Sequence, residues 1–237
     1  MHITAEDIQE NLNSDHKTAE DTLRWALTTF GDKICIASSF GAEDVVLIDM
    51  AVRIDPAVRI FTLDTGRLHQ ETYDVMDKIR ERYNINIEVC FPDKNKVQEM
   101  VKKHGVNPFY ESTELRKLCC RIRKIDPLLE KLKDLDAWIC GLRQEQAVTR
   151  FEIKKVEYDD LNNIIKINPL ADWTEEDVWE YIRKNNVPYN KLHDIEFPSI
   201  GCAPCTRAIK PCEEVRAGRW WWEEPEKKEC GLHSRNN

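Results

Sequence analysis

The chain has 237 residues, 41% of them hydrophobic and 33% charged, and carries a formal net charge of −8 at pH 7, enough material for one sizeable core, which we read as one domain. No apolar run approaches the roughly 20 residues of a membrane-spanning helix, and the acidic balance argues against nucleic acid as a partner, because duplex binding draws on Lys and Arg neutralising phosphates. The start lacks the basic and apolar stretches of a secretory signal, so the protein is expected in the cytoplasm, where nine cysteines point to metal binding or catalysis rather than to structural disulfides.

Thr4 with Asp7, and Thr18 with Asp21, read as N-caps of two amphipathic helices ending near Asn13 and Phe30, with Gly31 closing the second. Apolar runs at Lys33 to Ala37, Val58 to Leu63, Ile85 to Cys90 and Asp136 to Gly141 then alternate with helix-like segments. This alternation predicts a doubly wound α/β fold, with a mainly parallel sheet, helices on both faces and right-handed crossovers. Ligands collect beyond the carboxyl ends of such strands, where the loops Ser38-Ser39-Phe40-Gly41 and Asp64-Thr65-Gly66 are expected. Ser39 and Gly41, just ahead of a helix starting near Ala42, can offer a hydroxyl and backbone N–H groups to a phosphate. The loop matches neither the dinucleotide fingerprint nor the Walker pattern, and a strand-to-helix turn needs small residues in any case. After Arg150 a strand is expected at Ile164 to Asn168 and a helix from a Thr174 cap to about Asn185. Beyond Pro188 the chain reads as loop, with Trp220-Trp221-Trp222 as packing anchors.

Cys202-Ala203-Pro204-Cys205 is compatible with a zinc knuckle, half of an iron–sulfur site or a redox pair. The adjacent pair Cys119-Cys120 is more informative. Zinc sites usually take both halves from spaced pairs, whereas a cubane cluster has four separate iron corners that neighbouring thiolates can reach. An iron–sulfur cluster therefore ranks above zinc, and both above four unligated thiols. Lys117, Arg121, Arg123 and Lys124 surround one pair, and Arg207, Lys210, Arg216 and Arg219 follow the other, which suggests a small anionic ligand. On a helix Lys124 shares the face of Cys120. From the residues alone, Cys230 is equally an inert tail cysteine or a nucleophile that visits two partners. Cys35, Cys90 and Cys140 read as small hydrophobes, and Cys212 as incidental.

Cys119-Cys120, Cys202-x-x-Cys205 and the terminal Glu229-Cys230-Gly231-Leu232-His233 together resemble the assimilatory adenylylsulfate (APS) reductases of the cluster-containing bacterial and plant type. Supporting matches run through Gly41-Ala42-Glu43-Asp44, Leu63-Asp64-Thr65-Gly66-Arg67, Gly141-Leu142-Arg143, Asn168-Pro169-Leu170, Pro188-Tyr189-Asn190 and Gly218-Arg219-Trp220-Trp221-Trp222. Only about the first thirty residues go uncovered. The resemblance implies a sheet of the adenine-nucleotide α-hydrolase type with a C-terminal catalytic tail. It divides the chain into N-terminal helices (1–30), a nucleotide-binding domain with the cluster cysteines (31–212) and the segment with the catalytic cysteine (213–237). It further implies a [4Fe–4S] cluster on Cys119, Cys120, Cys202 and Cys205, Cys230 as nucleophile, and thioredoxin or glutaredoxin as donor, with room for a homo-oligomer. Lys124, Arg150, Arg216 and Arg219 match the family's anion-binding positions, Leu63 and Gly141 its adenosine-holding backbone, and Ser39 its phosphate loop.

The pattern departs at Phe40, where some relatives place serine before the glycine, and at Glu196, often a glycine. A reductase for the 3′-phosphorylated substrate, PAPS, is the nearest alternative; relatives devoted to PAPS generally lack the four cysteines, and some cluster-bearing members accept both compounds. An ATP-dependent tRNA-thiolating enzyme of the same superfamily would need a Ser-Gly-Gly-x-Asp-Ser loop and a basic surface, neither of which is evident. A non-catalytic zinc module would leave Cys230 without a role.

Overall fold

A computed structural model describes residues 18–146 and 153–224; the helix expected from Thr4, and the site residues Arg150 and Cys230, lie outside the described residues. Helix α1 (Ala19–Phe30) begins at the expected cap. Thr18 Oγ1 accepts the Asp21 N–H, the Asp21 carboxylate accepts the Thr18 N–H, and Gly31 ends the helix at φ +51°, a backbone region that costs glycine little. Then follow β1 (Ile34–Ala37), α2 (Ala42–Ile54), β2 (Ile60–Leu63), α3 (Gln70–Tyr83), β3 (Ile87–Cys90), α4 (Lys94–His104), α5 (Thr113–Cys120) and α6 (Asp126–Leu132). After these come β4 (Ala137–Ile139), β5 (Val156–Asp159), β6 (Ile164–Ile167) and α7 (Glu175–Asn185).

The six strands form one sheet in the order β3-β2-β1-β4-β6-β5. β1 pairs in parallel with β2 and β4, and β4 with β6, so the mainly parallel α/β fold expected from the alternation is what the chain adopts. Strand β5 was not anticipated. It runs antiparallel to β6, and its Val-Glu-Tyr-Asp sequence, with Tyr158 exposed, carries the polar pattern of an edge strand rather than a buried apolar run. The chain works outward through β1, β2 and β3, then crosses back to β4. The strand order therefore reverses between β1 and β4, the switch point beyond which ligands bind in open α/β sheets.

Packing divides the chain into two units, residues 1–61, 74–88 and 134–190, and residues 62–73, 89–133 and 191–237. The first holds the main core, in which Leu23, Ile36, Val45, Leu47, Ile60 and Ile79 are fully buried. The second is centred on Phe109, Cys120, Cys205 and Trp220, with Cys119, Cys202 and Trp222 packed against them. Among the described residues no helix is long and apolar enough to cross a membrane.

One polar cluster stands inside the first unit. Asp49 of α2 is fully buried and accepts hydrogen bonds from Tyr83 Oη at 2.6 Å and Tyr181 Oη at 2.7 Å, with Arg53 at 2.9 Å. Burial and the Asp49 carboxylate push both tyrosine hydroxyls well above their ordinary range. This joins α2, α3 and α7 through one carboxylate. Asp49→Ala should lower the unfolding free energy by roughly 2–4 kcal/mol, because two tyrosine hydroxyls lose their acceptor; the urea midpoint at constant slope measures this. Tyr83→Phe, which leaves Asp49 its other donors, should cost about 1 kcal/mol.

Candidate active site

In the first unit the loops after β1 and β4 flank the switch point. Ser39 donates its backbone N–H and its hydroxyl to one oxygen of Asp44, at 2.6 and 2.8 Å. Both donors of Ser39 that the sequence offered to a phosphate are thus engaged by a carboxylate of the same unit. Gly41 is the N-cap of α2 and offers no side chain. Phe40 sits at φ +58° with its ring buried, and its N–H donates to Ser38 Oγ; the left-handed turn costs a non-glycine residue about 1 kcal/mol or more, and the buried ring offsets it. Gly141, after β4, lies against Asp44: a Cβ there would stand 2.5 Å from Asp44 Oδ1. Glu43 accepts from Arg143 Nε and Gln146 Nε2, both at 2.9 Å.

The second unit holds the four candidate ligand cysteines. Helix α5, capped by Ser112 Oγ on the Leu115 N–H, ends in Cys119-Cys120 and runs into a π-helical turn, Arg121–Ile125, before α6. Such widened turns concentrate at functional positions. Cys202 and Cys205 lie on a tight turn in which the Cys205 N–H reaches the Cys202 carbonyl at 2.9 Å. All four cysteines line one cavity together with Arg67, Phe109, Arg116, Arg123, Lys124 and Pro204. Thr65, just past β2, touches Cys202 Sγ through its hydroxyl at 3.3 Å. Its carbonyl accepts Arg123 at 2.6 Å. Leu63 is the last residue of β2.

The electrostatics of the cavity are uneven. Burial raises the Cys119 thiol, and burial with the neighbouring Cys202 and Cys120 sulfurs pushes Cys205 up to about 12. Burial acts on Cys202 too, but Lys124, the Thr65 hydroxyl, Arg219 and Arg123 outweigh it and bring that thiol below its ordinary value. Ligation requires thiolates, so metal loading would release protons. Among the described residues no three His, Cys, Asp or Glu side chains are grouped as the ligands of one ion would be. Four thiols lining one cavity present the donor set that zinc and iron–sulfur centres share.

Arg219 is buried, with its guanidinium 3.3 Å from the Ile200 carbonyl, and it packs so closely on Gly201 that a Cβ there would meet Arg219 Nη2 at 2.3 Å. Its guanidinium also stacks on Trp220, 4.7 Å from the ring centroid. Arg216 is half-buried in the turn before it, its carbonyl accepting the Arg219 N–H. The two basic clusters do not act as blocks. Lys117 and Arg121 are exposed, and Arg207 is bound to Glu213 at 2.8 Å. Cys212 is exposed, whereas Cys35 and Cys140 are buried in the first unit. Sequence reasoning missed the structural parts of Arg67, Arg116 and Asp44. Arg67 and Asp44 stood inside motifs noted for other reasons, whereas Arg116 meets its partner Glu223 across 107 positions, a separation that leaves no local signal.

Residues 33–208 match the family model described as the phosphoadenosine phosphosulfate reductase domain. A protein of Burkholderia cepacia named adenosine 5'-phosphosulfate reductase is 53% identical over 202 residues, which is 85% of this chain and 81% of that one. A protein of Pseudomonas aeruginosa with the same name is 46% identical over 226 residues, 93% of this chain and 84% of its own. The crystal structure of phosphoadenylyl-sulfate (PAPS) reductase from Candida auris in a phosphate complex superposes with a TM-score of 0.74 at 28% identity, covering 88% of this chain and 99% of that one. The FMN adenylyltransferase of Candida glabrata, at 13% identity and a TM-score of 0.57 over 99% of this chain and 79% of its own, shares the fold alone.

Burial raises Asp44 from 3.8 to about 6, against the lowering effect of the Ser39 hydrogen bonds. The folded state therefore holds that proton more tightly than the unfolded chain. Its stabilising contribution is complete below about pH 3.8 and is lost as pH rises through about 6, a change on the order of 2–3 kcal/mol. Asp44→Asn keeps an acceptor for Ser39 and does not titrate. Urea unfolding from about pH 4 to pH 7 should show the variant gaining on the wild type as pH rises; a difference that stays flat across the window would remove Asp44 from the titration.

Proposed function

The chain belongs to the phosphoadenosine phosphosulfate reductase domain family, its reaction is the reduction of adenylyl sulfate in sulfate assimilation, and we propose that a thiolate at Cys230 performs that reduction. The observation that carries the reading is the meeting of four cysteines with Lys124 in one cationic cavity. In the first half-reaction Cys230 Sγ attacks the sulfur of the sulfate group. A sulfur–sulfur bond forms, the bond to the phosphate oxygen breaks, and AMP leaves with that electron pair. A donor thiolate then attacks Cys230 Sγ and expels sulfite, and the donor's second thiol resolves the mixed disulfide. The sulfur falls from the sulfate to the sulfite level, and two donor thiols become one disulfide. Thioredoxin or glutaredoxin is the dithiol of this chemistry, and the cytoplasm, where thiols stay reduced, is its compartment.

Negative charge moves onto the departing phosphate, so fixed cations lower the barrier. We assign Lys124, Arg150, Arg216 and Arg219 to the phosphosulfate, Ser39 to the phosphate, and the backbones of Leu63 and Gly141 to the adenosine. Cys119, Cys120, Cys202 and Cys205 would hold a [4Fe–4S] cluster, which would supply order and a fixed field around Lys124 rather than electrons. Lys124 is itself placed by the π turn and lowers the neighbouring Cys202 thiol.

The purified protein should be brown, contain about four irons per chain, and release sulfite from APS with reduced thioredoxin under anaerobic conditions. Mass spectrometry after APS alone should find one sulfonate on Cys230, and Cys230→Ser should abolish turnover; sulfite production by that variant at the wild-type rate would end the proposal. A parallel assay with PAPS decides whether the 3′-phosphorylated compound is also accepted. Gly201→Ala, which drives a methyl group into the Arg219 guanidinium, should raise the KM for APS about tenfold through a lost charged contact while leaving the iron content unchanged.

A further inference from the structure

We propose that the buried Arg116–Glu223 ion pair is a positioning pair for Cys230, fixing the point from which the chain continues towards that residue; the proposal rests on the role assigned to Cys230 above. Arg116 Nε and Nη2 reach the two Glu223 oxygens at 3.0 and 2.7 Å, and the side chains are 0% and 4% exposed. Glu223 is the penultimate described residue before the tail. An exposed tether of two flexible side chains would hold little. A buried two-point pair returns little net stability after desolvation, but it fixes direction and distance. Its product is placement.

The pair anchors the tail to the cavity itself. Arg116 belongs to α5 and lines the cavity beside Cys119 and Cys120. Its guanidinium stacks on Trp220 at 4.8 Å, on the same indole that carries Arg219 at 4.7 Å. The Trp220 N–H donates to the Cys205 carbonyl at 3.1 Å, and the Glu223 N–H to the Trp220 carbonyl at 2.8 Å. Cys205, Trp220 and Glu223 are thus one hydrogen-bonded block held by Arg116. From Glu223 to Cys230 is a step of seven residues, at most about 25 Å when fully extended. Loosening the pair shifts the point from which the chain continues towards Cys230. Arg219 keeps its own supports, the Ile200 carbonyl and the strand-like bridge to Thr206.

Rapid-quench single turnover of the holoprotein with saturating APS and no donor measures sulfonation of Cys230, and dithiothreitol release of sulfite from the preformed adduct measures the second step. Glu223→Gln should slow sulfonation about tenfold or more, leave dithiothreitol release unchanged, and alter APS affinity, read by calorimetry in a Cys230→Ser background, by less than about threefold. Sulfonation at the wild-type rate, or a loss confined to APS affinity, would overturn the assignment. If Glu223→Gln does not fold, Arg116→Lys carries the test, since it keeps the buried charge paired but loses the fork. It should slow sulfonation several-fold, and a wild-type rate would again overturn the proposal. Absence of any Cys230 adduct in the unaltered protein would instead sink the reading on which the proposal rests.

Discussion

Around the cysteine cavity three guanidinium groups are withdrawn from water, and each is received by an oxygen or a ring face. Arg116 meets Glu223 and the Trp220 ring, Arg123 meets the Thr65 carbonyl, and Arg219 meets the Ile200 carbonyl and the other contact on Trp220. An unreceived buried charge costs several kcal/mol, so these receivers govern where the backbone of the second unit can go. Glu223 cancels the charge of Arg116. Lys124, the Thr65 hydroxyl, Arg219 and Arg123 act together on Cys202, and its thiol is lowered in spite of burial.

The first unit solves the opposite problem. Glu43 and Asp44 open α2 next to the switch point, where the helix N-terminus favours negative charge. Arg143 and Gln146 receive Glu43, and Ser39 receives Asp44. Gly141 has no side chain because the Asp44 carboxylate fills that space. Each small residue at this end of the sheet is matched to a particular neighbour, which is a stronger reason for its size than turn preference alone.

Much of this was legible in the sequence. The cap at Thr18, the apolar runs that became β1 to β4 and β6, and the Thr174 cap of α7 depend on neighbours within a few positions, which periodicity and capping rules can read. Boundaries shifted where a turn borrowed the first residue of an apolar run, as at Val58, whose N–H closes on the Asp55 carbonyl. Strand β5 escaped because an edge strand needs only its partner's backbone and can carry a polar residue such as Glu157, here paired with Lys166, where a central strand carries an apolar one. The cysteine pairs identified their cavity because thiols at that spacing have few other uses. The Arg116 to Glu223 contact escaped for the opposite reason, since either residue alone is an ordinary surface charge. The engagement of Ser39 by Asp44 was hidden in the same way, although the two are only five positions apart, because the residue letters do not say which acceptor a hydroxyl will choose.

The widened turn at Arg121–Ile125 constrains how this chain can vary in length. A π turn holds one residue more than an α-helical path between the same two flanking segments. Removing a single residue from it would let regular α geometry run from Cys120 into α6 with both flanking segments where they are, and only the residues inside the turn would change direction. Lys124 would then leave the wall it shares with the cysteines, while the helix as a whole remained well formed. Shortening here would be silent in helical content and ruinous for the placement of Lys124.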